Sequence, residues 1–254
     1  MLGAIFGDIT GSVYEHNNLK STDFIFFTKN SRFTDDSVMT IATMEALLRE
    51  KDFSKAYRKW YRKYPDVGYG TRFSKWAQSE EKCGYNSFGN GSAMRVSPIG
   101  YWFDGLEETL EMAKASALVT HNHSEGIKGA QAVAAAIYLA RTKKDKELIK
   151  EYIENKFRYV LSESVENIRR WYRFDVSCQG SVPEAITCFL ESTDFEDAIR
   201  KAISIGGDSD TIGCITGSIA EAYYGIDDSL AKNTKEKLTS EMLEIVDEFY
   251  AKTK

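Results

Sequence analysis

Along most of the chain the apolar residues return every three or four positions, the repeat of one face of an α-helix. Leu238, Met242, Ile245 and Phe249 follow one another at spacings of 4, 3 and 4, which places them on one stripe. Ile127, Ala130, Ala134 and Ile137 form a second stripe inside an alanine-rich run. Alanine loses no side-chain entropy in a helix, so this run is predicted to be a buried central helix. Val38, Ile41, Met44 and Leu48 give a shorter stripe, and Leu148, Tyr152 and Ile153 mark an amphipathic segment with lysine and glutamate on its outer face. Strict alternation of apolar and polar residues is nearly absent. Its best instance, Phe24-Ile-Phe-Phe27, reads as a loop edge or a short strand. The pattern predicts an all-α fold.

Composition narrows this picture. A helical chain of 254 residues usually shares one core, so a single domain spanning 1–254 is expected. The three prolines (Pro65, Pro98 and Pro183) mark no linker. Glycine gathers at Gly3, Gly7 and Gly11, at Gly84, Gly89 and Gly91, and at Gly206, Gly207, Gly213 and Gly217. Beside polar residues such groups read as candidate binding loops, because glycine allows close backbone approach. The net charge of -5, with no face rich in lysine and arginine, argues against general nucleic-acid binding and leaves a local grip on a small anion open. Cys83, Cys178, Cys188 and Cys214 form no CxxC pair and no zinc-like set with the histidines, so they read as buried reduced thiols. The apolar start meets Asp8 without a basic n-region, and no uncharged apolar run approaches the roughly 20 residues that span a bilayer. A cytoplasmic protein with no membrane contact, monomeric by default, is expected.

Two acidic turns carry the candidate chemistry. Phe33-Thr-Asp-Asp-Ser-Val-Met-Thr40 sets Asp35 and Asp36 just before an apolar helix, where helix capping alone would account for them. Ile205-Gly-Gly-Asp-Ser-Asp-Thr-Ile-Gly213 repeats the form, with Asp208 and Asp210 spaced so that both carboxylates can face one point. A cap explains one of these aspartates, not two flanked by three glycines. Thr34 and Thr211 add hydroxyls, and carboxylates with hydroxyls and water suit hard cations such as magnesium. Four converging carboxylates raise one another's pKa, and two divalent cations would balance them. From the residues alone, two separate capped helices and one shared site both satisfy the pattern.

Three further segments accompany these turns. In Gly7-Asp-Ile-Thr-Gly11, Asp8 reads as a structural hydrogen-bond acceptor that ties down the N-terminal segment. Glu15 heads the polar stretch Glu15-His-Asn-Asn18, either an exposed surface glutamate or a general base on a mobile loop. Gly89 and Gly91 flank Asn90 in Ser87-Phe-Gly-Asn-Gly-Ser-Ala-Met-Arg95, an ordinary loop or one that offers backbone amides to a phosphate or sugar. There Met94 is expected in the core and Arg95 in a structural salt bridge. In Thr120-His-Asn-His-Ser-Glu125, Ser124 or Asn122 is the expected helix cap, and His121 and His123 point different ways, one toward a ligand and one toward the surface.

In this order, Gly7-Asp-Ile-Thr-Gly11, Thr34-Asp-Asp36, Gly89-Asn-Gly-Ser-Ala-Met-Arg95, Thr120-His121, Val182-Pro-Glu-Ala185 and Gly206-Gly-Asp-Ser-Asp-Thr211 resemble the ADP-ribosylglycohydrolase family. The resemblance runs to Gly225; the chain is shorter than the vertebrate members, with the stretch from Arg141 to Ser177 trimmed. It implies a single-domain orthogonal helical bundle around two Mg2+ ions (or Mn2+), held by Thr34, Asp35, Asp36, Asp208, Asp210 and Thr211. It also implies a flap-borne Glu15 beside the substrate, contacts to ADP-ribose from Asn90, Gly91, Ser92 and His121, and stacking by Phe88. The expected activity is magnesium-dependent hydrolysis of the bond between ADP-ribose and a protein side chain or related acceptor. Glu15 would handle the attacking water and Asp36 the leaving group. Partners would be ADP-ribosylated proteins or ADP-ribosyl small molecules. A non-catalytic ADP-ribose-binding protein and a metal-dependent phosphohydrolase of ADP-ribose are the alternatives; the intact acidic motifs weigh against a mere scaffold.

Overall fold

The computed structural model describes residues 1–49 and 51–253, and among them the regular structure is entirely helical. The helices in the first half are α1 (Leu2–Gly11), α2 (Asp35–Leu48), α3 (Phe53–Lys63), α4 (Thr71–Gln78), α5 (Gly91–Met94), α6 (Ser97–Trp102) and α7 (Leu106–Leu118). Then follow α8 (Ser124–Arg141), α9 (Lys146–Phe157), α10 (Val165–Trp171), α11 (Cys178–Leu190), α12 (Phe195–Ser204), α13 (Ser209–Tyr224), α14 (Asp228–Lys235) and α15 (Ser240–Thr253). One isolated antiparallel bridge joins Gly89 to Ser177. Phe24–Phe27 forms no strand: Phe24, Phe26 and Phe27 lean on the core, and Arg200 lies over the Phe24 and Phe26 rings.

Short polar side chains start most of the long helices. Thr34, Asp145, Ser164, Ser177, Asp194 and Asp227 each accept a backbone N–H from the first turn of the helix that follows. The cap of α8 is His123 rather than Ser124 or Asn122; its Nδ1 accepts from Glu125 N at 3.1 Å. Asn122 Oδ1 instead accepts from Asn86 N. Of the predicted stripes, Ile149 rather than Leu148 carries the buried face of α9, with Ile153 and Phe157. Leu238 is buried but precedes α15. Three cysteines are buried thiols as expected, whereas Cys83 is exposed.

The alanine-rich α8 lies in the interior, and α1 and α13 are buried along almost their whole length. Their contact is the most extensive between any two described helices, and glycine makes it possible. Gly3, Gly7 and Gly11 lie four apart on one face of α1, against Gly217, Gly213 and the Ser209–Asp210 backbone of α13. A Cβ on Gly7 would overlap the Gly213 carbonyl, and one on Gly11 would sit 2.5 Å from Asp210 Cα. These glycines, read above as binding loops, are therefore the packing seam between two central helices. Glu221 of α13 closes one end of the seam, accepting from the Met1 amino group, from Gly3 N and from the Tyr250 hydroxyl.

Two predictions follow from this packing. Gly7→Ala has no room to relax because the obstacle is backbone, so it should lower unfolding stability by about 3 kcal/mol or more in a denaturant titration. Glu184 on α11 has a buried Oε2 with no hydrogen-bond partner among the described residues, and burial pushes its carboxyl up from 4.5 to about 7. The folded protein thus holds a proton that the unfolded chain has already released. Its contribution to stability is present below about pH 4.5 and is lost as the pH rises toward 7, by up to about 3 kcal/mol. Glu184→Gln should flatten that slope in stability curves measured across this range.

Candidate metal centre and its cavity

Both acidic turns reach the same place. Thr34 caps α2, accepting from Asp36 N at 3.3 Å, so Asp35 and Asp36 in the first turn are free for other work. Asp208 stands at the cap position of α13 but caps nothing. Gly206 and Gly207 adopt φ of +71° and +76°, the left-handed backbone that turns the chain into α13. Asp208 Oδ2 then accepts from Asn90 Nδ2 at 2.6 Å, and the other hydrogen of that amide goes to Ser181 Oγ at 3.1 Å.

Carboxylate oxygens of Asp8, Asp36 and Asp210 lie within 4.8 Å of one another, and so do those of Glu15, Asp208 and Asp210. The two groups share Asp210. Asp8 fills its predicted role and exceeds it: Oδ1 accepts from the Thr34 hydroxyl at 2.6 Å, and Oδ2 accepts from Thr34 N, Ser37 N and the Ser37 hydroxyl. Through α1 it also stands beside the acids of α2 and α13. The Thr211 hydroxyl donates to Asp36 Oδ2 at 3.3 Å, while Asp36 Oδ1 is buried with no donor among the described residues. Asp35 is partly buried on the cavity wall, outside both close groups, and its N–H donates to Val67 O at 3.0 Å.

Among the described residues no lysine or arginine forms an ion pair with any of these acids; Glu15 meets only His16, at 3.7 Å. Burial, then repulsion from Asp8, Asp35 and Asp208, holds the Asp36 carboxyl well above the usual range. Burial, then Asp208 and Asp36, does the same to Asp210. Burial, then Asp8 and Asp208, raises Asp35 strongly; Asp8, Asp208 and Glu15 are raised as well, with burial the largest cause each time. An all-oxygen donor set, uncompensated negative charge and an orphaned buried oxygen fit a hard divalent cation, and the two groups sharing Asp210 leave room for a pair.

The acids form part of the wall of a cavity of about 730 Å³. Glu15 lies on its rim with 29% of its side chain exposed. Asn18 fixes that rim: its Nδ2 reaches Tyr14 O, Glu15 O and Gly207 O, and its Oδ1 accepts from Gly207 N at 2.8 Å. Asn90, Gly91 and His121 line the cavity. Ser92 lies behind the wall, its hydroxyl on Gly126 O, and Phe88 is 46% exposed between the lining residues Ser87 and Gly89, its ring against His123. Arg95 makes no salt bridge among the described residues; it is buried over the Tyr57 ring and donates to Ser116 O and Thr120 Oγ1. The sequence reading missed the segment from Asp66 to Phe73, which also lines the cavity. Its signal was the pair Gly68 and Gly70 around Tyr69, followed by Thr71 and Arg72.

The family model described as ADP-ribosylglycohydrolase matches residues 1–254. ADP-ribosylhydrolase ARH3 of Homo sapiens is 28% identical to this chain, over 89% of it and 85% of that protein. ADP-ribosylarginine hydrolase Tri1 of Pseudomonas putida is 24% identical, over 89% of this chain and 70% of its own length. A solved structure titled "ADP-ribosylglycohydrolase-related protein complex" superposes with a TM-score of 0.70 at 23% identity, covering 100% of this chain and 97% of that one, which shows the same fold. No helix among the described residues is long and apolar enough to cross a membrane.

Mutual repulsion among the acids sets an expected outcome for thermal unfolding. Magnesium or manganese at about a hundredfold excess over its Kd should stabilise the protein by about 2.7 kcal/mol. Asp36→Asn should lose that increment yet be at least as stable as the parent in chelator, because one repelling charge is gone.

Proposed function

The chain belongs to the ADP-ribosylglycohydrolase family, and from that premise we propose that it is a magnesium-dependent hydrolase cleaving the glycosidic bond between ADP-ribose and a modified protein side chain or related acceptor. The observation that carries this reading is the pair of oxygen-rich groups sharing Asp210, one of them including Glu15, in a cavity of about 730 Å³. That volume lies within the range of roughly 300–1,000 Å³ usual for small-molecule sites. ADP-ribosylhydrolase ARH3 and ADP-ribosylarginine hydrolase Tri1 support the reaction class by their names.

Bound divalent cations would hold the ribose hydroxyls and so fix the anomeric carbon in place for attack by water. Asp36, Asp210, Asp208 and Asp8 are the proposed carboxylate ligands, with Asp35 reaching the pair from the cavity wall and Thr34 and Thr211 orienting Asp8 and Asp36. Glu15 takes the proton of the attacking water. Burial and the adjacent Asp208 raise its carboxyl, which brings its basicity nearer to neutral pH. Asp36 is assigned chiefly to cation binding, since its Oδ1 lacks any donor, and assists the leaving group second. Asn90 acts through Asp208, both of its amide hydrogens being spent within the protein. Gly91 and His121, which line the cavity, offer substrate contacts, and Phe88 offers its exposed ring beside the lining residues Ser87 and Gly89.

The test is product analysis on a panel of linkage-defined substrates, arginine- and serine-linked among them. ADP-ribose should be released with magnesium and not in chelator; AMP with ribose phosphate would establish a phosphohydrolase, and ligand binding without turnover a binding protein. Glu15→Gln should lower kcat by about 10²–10⁴ while keeping ADP-ribose affinity.

A further inference from the structure

Arg95 is 1% exposed, and the structure gives it no carboxylate among the described residues. Its Nη2 donates to Ser116 O at 3.1 Å and to Thr120 Oγ1 at 2.7 Å, its guanidinium lies 4.2 Å from the Tyr57 ring centroid, and its Nε has no partner. The same Thr120 oxygen lies 2.7 Å from His121 Nδ1. Thr120 is fully buried, and its hydroxyl has no other described side-chain or backbone partner.

These three contacts allow one consistent placement of hydrogens. An arginine can only donate, so the Thr120 oxygen accepts from Arg95. The single hydroxyl hydrogen must then go to His121 Nδ1, the acceptor left within reach. The opposite choice, Nδ1–H donating to Thr120, would strand that hydrogen at a buried position without an acceptor, a costly arrangement. Neutral imidazole carries one proton, so it sits on Nε2. Nε2 faces the cavity wall, 3.2 Å from where a Cβ on Gly91 would lie and 3.6 Å from one on Gly89. Burial first, then the nearby charges of Arg95 and Arg72, holds the imidazole well below its ordinary pKa and so neutral.

We propose that Arg95 and Thr120 form a hydrogen-bond relay that fixes His121 as the Nε2–H tautomer, a neutral donor aimed at an acceptor oxygen of the bound ligand. Arg95 and Thr120 are positioning residues: they act on the ligand through His121. A wall that donates here accepts phosphate, carbonyl or ether oxygens and rejects a group that can only donate. The ligand side of the inference rests on the proposed reading of the cavity as an ADP-ribosyl site; the tautomer does not.

The test is the imidazole nitrogen spectrum of the whole protein, tractable because the chain has three histidines, combined with ADP-ribose titration. In the parent and in Thr120→Ser, His121 should be protonated on Nε2 alone, with a hydrogen-bonded Nδ1, between about pH 6 and pH 8. Thr120→Val keeps the shape and removes the donor. Its Nδ1 signal should move to that of an unbonded or protonated nitrogen, and the ADP-ribose Kd should rise about three- to tenfold. A parent protein with the proton on Nδ1, or a Thr120→Val protein with unchanged affinity, overturns the proposal. A parent with the Nε2–H tautomer that binds no ADP-ribose would instead remove the functional reading and leave the relay in place.

Discussion

The close crossing of α1 and α13 is the constraint on which the candidate site depends. Helices with ordinary side chains lie 8–10 Å apart, whereas here backbone meets backbone along Gly3, Gly7 and Gly11 on one side and Gly213 and Gly217 on the other. That approach carries Asp8, one residue past Gly7, to the acids that begin α2 and α13. Asp8 then accepts from Thr34 and Ser37 at the start of α2. One short helix therefore registers both acidic turns. A small displacement of α1 would separate the group formed by Asp8, Asp36 and Asp210 without touching the residues of either turn.

Electrostatically the centre is a deliberate conflict. Buried carboxylates that repel one another destabilise the fold, and the raised pKa values of Asp35, Asp36 and Asp210 express that cost. The surrounding packing holds the arrangement in place: α13 is buried from Ser209 to Ala222, and α1 is buried throughout. Such unrelieved charge is what gives a hard cation its binding energy. A lysine or arginine in the cluster would relieve the strain and remove the site.

How much of this was legible in the chain divides along physical lines. Helical periodicity is local, so the all-α architecture and the buried α8 could be read directly. The second acidic turn was legible as a motif, since two aspartates flanked by three glycines exceed what capping requires, whereas the first on its own reads as a cap. Asp8 was read as a tie and proved also to be a member of the cluster, because its place depends on a crossing between segments 200 residues apart in the chain. The glycines of α1 carried that information in their spacing of four, the interval of one helix face. Their proximity to polar residues suggested loops instead. The salt bridge expected for Arg95 failed for a related reason: its charge is met by the Tyr57 ring, a carbonyl and a hydroxyl, partners that no spacing rule reveals.

The cavity wall carries both the acidic cluster and three arginines, Arg32, Arg72 and Arg95, and the way their influence is shared out binds the separate observations together. No arginine enters among the main causes of the shifts of Asp8, Asp36, Asp208 and Asp210, while Arg32 acts on Glu15. Arg95 and Arg72 are instead the charges felt by His121 and Tyr85. Tyr85 links this second group, its N–H donating to Thr120 O at 3.1 Å and its ring lying 5.9 Å from that of His121. On the proposed reading, cations held by the acids would meet the ribose hydroxyls while His121 meets an acceptor oxygen of the phosphate chain, an order that an ADP-ribosyl group has built into it. Asn90, Gly91 and Arg95 lie within six residues of one another, so a single short segment donates to Asp208 through Asn90 and to Thr120 through Arg95. The glycine-rich turn thus ties the acidic cluster to the Thr120–His121 pair by hydrogen bonds through its flanking side chains.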